Sequence, residues 1–293
     1  MLKGLAITPP VVGRISIGRV VERNGKRLPE KDDQFTLTSQ VQNRDGWVLH
    51  PMDETLRKEA GGKLRSIPVH LVFNDPALNL RADYSLFDRT TGRPVCVGNG
   101  ETSRRVGNEG VTQQTCPGPE VCPFASGDCK AYARFNVIVG DGEEDALGSF
   151  VLRTTSFNTI RTLAARLQYF SAVSGGRLAC MPLELKLRGK STAMSFRTAI
   201  YYVDLVVRTG LTLEHAISQA REVDANRKAS GFDQDALDEA ARRGFSNGAF
   251  EELVEDVPAV VQEFYPEDEA EQAPVQAVKG LRGKLEAKVA CVP

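Results

Sequence analysis

Histidine is scarce in this 293-residue chain, with His50, His70 and His215 the whole supply. None lies in an H-E-x-x-H pair, which sets two zinc ligands and a general base on one helix, and none opens the H-x-E and cysteine pair of a zinc deaminase. His70 alternates with Val69 and Leu71 in a strand-like run, and His215 adjoins the apolar face of a helix, so each reads as structural. G-x-S-x-G and the P-loop are missing too, which leaves serine-hydrolase and nucleotide-binding readings without residues to stand on. These absences favour a protein that is not an enzyme. No run of 18 apolar residues offers a membrane span. The opening MLKGLAITPPVVGRISIG holds no continuous apolar core and no small-residue cleavage site, so a cytoplasmic protein is expected. There thiols stay reduced, and clustered cysteines serve more often as metal ligands or redox groups than as disulfides.

An apolar share of 41% supports a buried core for one large domain or two modest ones. Charge is unevenly placed: residues 1–230 carry 31 Lys+Arg against 24 Asp+Glu, whereas residues 231–293 carry 6 against 14. The split points to a body that meets an anionic partner. The acidic C-terminal region then recruits proteins, competes with that partner, or serves solubility alone.

Up to about residue 155, runs such as VVGRISIGRVV, DQFTLTSQV, SIPVHLVFND and LRADYSLFDR are β-branched or apolar and are separated by Gly, Pro, Asn and Asp. Leu80, Ala82, Tyr84 and Leu86 recur at every second position, as a strand with one buried face requires, and DRTTGRPV reads as a hairpin turn. Two strands, in KAYARFNVIV and GSFVLRTT, flank an acidic turn. A helix follows in SFNTIRTLAARLQYF, capped by Ser156 and closed at Gly175 and Gly176. MPLELKLRGK and FRTAIYYVDLVVR read as strands, and helices are expected from Thr212 onward, with a break at Pro258. The fold class expected is α+β: a mainly antiparallel β-rich body with a central helix and a four-cysteine metal loop, then a small helical acidic tail. Strands, a helix and further strands suit an OB-like barrel. The division expected is a β-rich DNA- or partner-binding body over 1–210 with its zinc loop at 96–129, a helical region over 211–265 and a flexible tail over 266–293.

Four of the six cysteines, Cys96, Cys116, Cys122 and Cys129, fall within 34 residues at the spacing C-x19-C-x5-C-x6-C, while Cys180 and Cys291 stand apart. Zinc takes four thiolates in a tetrahedron, and such a closed site contributes folding energy rather than chemistry. Cys96 follows a strand, and the other three sit in TCPGPEVCPFASGDC, a loop rich in Pro and Gly that needs something to order it. An iron–sulfur cluster takes the same ligands, although neither ferredoxin spacing is present. Disulfides, or four unrelated thiols packed as small hydrophobes, are the other readings. Structural zinc is the cofactor expected.

Residues 146–213 hold nine basic side chains against Glu184 and Asp204 alone. Arg153, Arg161, Arg166, Arg177, Lys186, Arg188, Lys190 and Arg197 interleave with Phe157, Tyr169, Phe196 and Tyr202. Basic grooves with aromatic platforms hold single-stranded nucleic acid without regard to sequence, so these twelve are the candidate DNA-binding residues. Against this, Phe170 belongs to the helix's apolar stripe, and alternate residues of AIYYVDLVV must face a core.

The cysteine spacing, together with GSFVLRTTSFNTIRTLAARLQYF and GGRLACMPLELKLRGK, resembles the recombination directionality factor-like proteins of phages and integrative elements over roughly residues 1–210. The resemblance implies a metal-binding accessory of DNA recombination, with Cys96, Cys116, Cys122 and Cys129 as ligands. Such a factor binds a serine integrase and redirects it from integration to excision, without a catalytic centre of its own. It also implies a recombinase or integrase as partner, while the basic and aromatic segment points to DNA, single-stranded by preference, and the acidic C-terminal region, outside the resemblance, is the expected contact for recombination proteins. A single-stranded-DNA-binding protein supporting homologous recombination or replication is the alternative. A zinc-dependent hydrolase, which requires metal-dependent turnover, is a second.

Overall fold

The computed structural model describes residues 10–23, 26–44, 46–108, 110–140, 148–191, 199–245, 260–261 and 264–265. Its first strands are β1 (Val11–Arg23), β2 (Lys26–Asn43) and β3 (Gly46–Leu49), followed by helix α1 (Pro51–Glu59). Then come β4 (Ser66–His70), the short α2 (Pro76–Asn79), β5 (Leu80–Phe87), β6 (Pro94–Gly98), β7 (Thr102–Gly107) and β8 (Gly110–Thr115). β9 (Lys130–Val139), β10 (Ser149–Thr154), α3 (Phe157–Val173), β11 (Leu183–Lys190), β12 (Ile200–Val207), α4 (Leu213–Ala229) and α5 (Gln234–Phe245) complete it. The class is α+β with a mixed sheet, in which β1 runs parallel to β10 and β2 to β3 while the other pairs are antiparallel.

The OB-like barrel does not form. The strand path β3-β2-β1-β10-β9-β5-β6-β7-β8 has free ends, and β4, β11 and β12 branch from it. The reason lies in β9, whose 130–135 stretch pairs with β5 while its last residues, Ile138 and Val139, pair with β4. Two arms therefore leave β9 and diverge. Between β2 and the residues leading into β4 there is a hydrogen bond from the Phe35 amide to the Leu64 carbonyl, 2.7 Å.

One sheet face and the two longest helices share the main core. Ile15, Phe35, Leu37, Phe135, Val137 and Leu152 from the strands meet Leu163, Leu167 and Phe170 of α3 and Ala216 and Ala220 of α4. Each fully buried large side chain contributes about 1.5–3 kcal/mol. Ser156 caps α3 by accepting from the Thr159 amide at 3.4 Å, and Gly175 and Gly176 end it at φ 66° and 77°. Thr212 caps α4 through the His215 amide at 3.3 Å. α4 shares this core although it follows residue 210. Helix α1, absent from the sequence reading, is stapled to β2 by the buried Asp53, which accepts from the Leu37 amide at 2.8 Å and from Arg57 Nε at 2.6 Å. Its cap is His50, whose Nδ1 accepts from the Met52 amide at 3.2 Å. No helix among the described residues is long and apolar enough to cross a membrane. The acidic turn after β9, the break at Pro258 and the 266–293 tail lie outside the described residues.

Candidate metal centre and basic surface

The four clustered cysteines come together at the free end of the β5–β8 arm. Cys96 lies on β6, opposite Leu86 of β5 and Arg105 of β7. Cys116 follows β8, its amide held by the Glu101 carbonyl at 2.9 Å, and Cys129 immediately precedes β9. Cys122 is carried on the intervening loop, whose turns use positive φ at Gly118, Ser126 and Gly127. All four thiols line one cavity of about 10 Å³, together with Tyr84 and Leu86, which is roughly the room of a single water-sized sphere. The Arg105 guanidinium stacks on the Phe124 ring at 3.8 Å along its wall.

The donor set fits a metal bound through sulfur. No disulfide links these cysteines, all four being free thiols. Burial first, then the neighbouring thiols Cys96, Cys116 and Cys122, push the Cys129 thiol up to about 11. Gly98 supports the fit, because a Cβ there would stand 2.9 Å from Cys116 Sγ. Among the described residues no three His, Cys, Asp or Glu side chains are placed closely enough to hold a metal ion as they stand. The thiols thus share a cavity rather than a completed coordination sphere. The alternation of Leu80, Ala82, Tyr84 and Leu86 also changes meaning here, since Ala82 is exposed while Tyr84 and Leu86 face the cysteine cavity and Ser85 and Phe87 are buried on the other face.

The candidate DNA-binding residues divide. Arg166 of α3, Arg188 of β11 and Asp204 of β12 form one cluster, with Arg166 forking onto the buried carboxylate at 2.9 and 3.3 Å and Arg188 reaching it at 3.4 Å. Asp204 holds the Arg166 guanidinium above its ordinary value. Tyr169 and Tyr202 lie within electrostatic reach of Arg166, and Tyr169 is 47% exposed. Lys186 lies opposite Asp204 on β11 and reaches Glu184 at 3.5 Å, while Lys190 donates to Asn158 at 2.7 Å. Arg161 and Phe157, the latter 58% exposed, sit on the other flank of α3.

Two residues are placed elsewhere. Arg177 is beyond the far end of α3, bonded to Asp224 at 3.0 Å and to the Ser174 and Gly175 carbonyls. Arg153 projects from β10 on the opposite sheet face, in register with Arg134 of β9, which in turn pairs with Arg81 of β5. Arg81 and Arg134 were missed because they are far apart in sequence and only the strand register joins them. Phe196 and Arg197 lie outside the described residues. Of the histidines, His50 caps α1, His70 Nε2 meets Arg208 Nη2 at 3.0 Å, and His215 is exposed in the first turn of α4.

No curated protein and no solved structure matches the chain. A family model does, over residues 12–208, a span that holds nearly all of β1 and every strand through β12, all four clustered cysteines and the cluster of Arg166, Asp204 and Arg188. The chain belongs to the Gp3-like family, described as recombination directionality factor-like.

Proposed function

We propose that this protein is a non-enzymatic accessory factor of DNA recombination in a phage or mobile element, acting through a serine integrase and holding a structural zinc. The carrying observation is family membership over residues 12–208. Cys96, Cys116, Cys122 and Cys129 would be the zinc ligands, and a four-thiolate zinc contributes cohesion without an open position for substrate. The chain's own residues do the rest: β6 and the ends of β8 and β9 bring the thiols to one cavity, which Leu86 lines beside the loop between Cys116 and Cys129. An excision assay with integrase and its product sites tests the reading. Excision that appears only when the protein is added supports it, and an unchanged direction of recombination rejects it. Metal analysis of purified protein should give about one zinc per chain. Zinc well below that in unchelated protein rejects the metal assignment.

The second reading is single-stranded-DNA binding. It is favoured by the surface where Arg166 lies within electrostatic reach of Tyr169 and Tyr202, with Arg188 opposite Tyr202 and Lys186 and Lys190 along the same strand. Affinity there should fall steeply with salt as counterions are released. Salt-independent binding would reject it.

A further inference from the structure

Arg105 of β7 differs from other arginines of the chain in what its charge meets. Arg57, Arg166, Arg177 and Arg242 each reach a carboxylate at 3.0 Å or less. Among the described residues Arg105 has no carboxylate within ion-pair distance, and its Nε is buried without a hydrogen-bond partner. A buried N–H without an acceptor is unfavourable, so the surroundings of the guanidinium should supply one.

The strand register places those surroundings. Alternation along β7 sends Arg104 and Arg105 to opposite faces of the sheet. Arg105 lies directly across from Cys96 of β6, a pairing that brings Cβ atoms to about 5 Å. The half-buried Arg105 side chain lines the same cavity as Cys96, Cys116, Cys122 and Cys129. Its guanidinium lies 3.8 Å from the centre of the Phe124 ring, and Phe124 is carried between Cys122 and Cys129. Strand register and a ring from the cysteine loop thus hold one cation beside the four thiols.

Charge explains why a cation belongs there. A divalent metal bound by four thiolates forms a complex with two net negative charges, and burying an anion without a counter-charge is unfavourable. Among the described residues that line the cavity, Arg105 is the one cation. Resting on the zinc reading above, we propose that Arg105 is the counter-cation of the four-thiolate centre: it offsets the charge of the loaded site and offers its Nε–H to a cluster sulfur, while Phe124 keeps the guanidinium in place. Arg105 is a positioning residue for the centre and not a ligand, since a guanidinium stays protonated and has no lone pair to give. The planar, weakly hydrated guanidinium suits a site that is half-buried and faced by a ring.

The test is the zinc affinity of the full chain, measured by competition with a chromophoric chelator, beside thermal melts of zinc-loaded and chelator-stripped protein. Arg105→Met keeps an unbranched stem on Phe124 and removes the charge; it should weaken zinc binding about tenfold, equal to ~1.4 kcal/mol. Arg105→Lys, which restores the charge without the planar fork, should recover part of the loss. Arg104→Met, on the opposite sheet face, should bind zinc as the wild type does. Stripped proteins should melt alike, which confines the Arg105→Met difference to the loaded state. Arg105→Gln repeats the loss of charge in case the methionine variant does not fold. The inference is overturned if the neutral variants hold zinc as tightly as the wild type, if Arg105→Lys is no better than they are, or if Arg104→Met loses as much. It is overturned equally if stripped Arg105→Met melts below stripped wild type by as much as the loaded proteins differ. A wild-type chain that takes up no zinc sinks the metal reading and the inference together; full affinity in the neutral variants sinks the inference alone.

Discussion

At the end of β5 and β9, adjacent residues serve two different structures. Leu86 faces the cavity of the four thiols, whereas Phe87, the next residue, packs edge to face with Tyr132 at 5.3 Å and with Phe264 at 4.9 Å. On the first face a Pro/Gly-rich loop has little apolar area to bury and brings four thiols to one cavity. On the second, aromatic rings supply the cohesion, with an exchange of hydrogen bonds to backbone carbonyls. Comparing the two shows why one end of the sheet can hold two segments independently: period-two alternation sends each strand's residues to separate partners.

The largest effect should come from breaking the first face. Cys116→Ser together with Cys122→Ser, or zinc removal by a strong chelator, should lower the melting temperature by more than about 10 °C and open the 116–129 loop to protease. Thiols that merely pack as small hydrophobes would give a drop of only a few degrees and no chelator response. The next effect belongs to the second face. Phe264→Ala should cost its docking about 3–5 kcal/mol. Because Phe264 lies in a cluster separate from the main core, cleavage near residue 260 should accelerate while the global melt moves little. A matching global loss would show that the two clusters unfold together.

Much of this was legible in sequence where local chemistry decides structure. Ser156, Thr212 and the pair Gly175 and Gly176 mark helix ends through caps and backbone freedom, and the grouping of four cysteines over 96–129 is a matter of spacing. Where tertiary partners decide, the sequence was silent or misleading. Helix α1 carries a single buried apolar residue, Leu56, and its place is fixed by Asp53 and Arg57 reaching β2. The β7–β8 hairpin is polar and mostly exposed, so alternation gives no signal, although GNEG at its tip is a turn composition. The alignment of Arg153, Arg134 and Arg81 needs the register of three strands, and the divergence of the two arms needs the pairing along β9.

A smaller probe of the first face is Gly98→Ala. The added Cβ would meet Ser103 Cβ at 2.8 Å, Cys116 Sγ at 2.9 Å and the Thr102 carbonyl at 2.9 Å. Two of these belong to the hairpin backbone or its base, so the strain should cost about 1–3 kcal/mol. Thermal melts should record it together with reduced zinc content. Unchanged metal loading would mean that Cys116 does not need its present position to bind.

The smallest expected effect is on the second face and depends on pH. Burial raises the Asp83 carboxyl above the usual aspartate range, against the opposing pull of Arg81 and Arg134. A raised carboxyl means that the folded chain binds this proton more readily than the unfolded one, so its contribution favours folding at low pH and is lost as pH climbs from the ordinary aspartate value through the folded one. Asp83→Asn should flatten that segment of the stability curve, read by chemical denaturation across the acidic range. A curve of unchanged slope would show that Asp83 does not carry this part of the acid dependence.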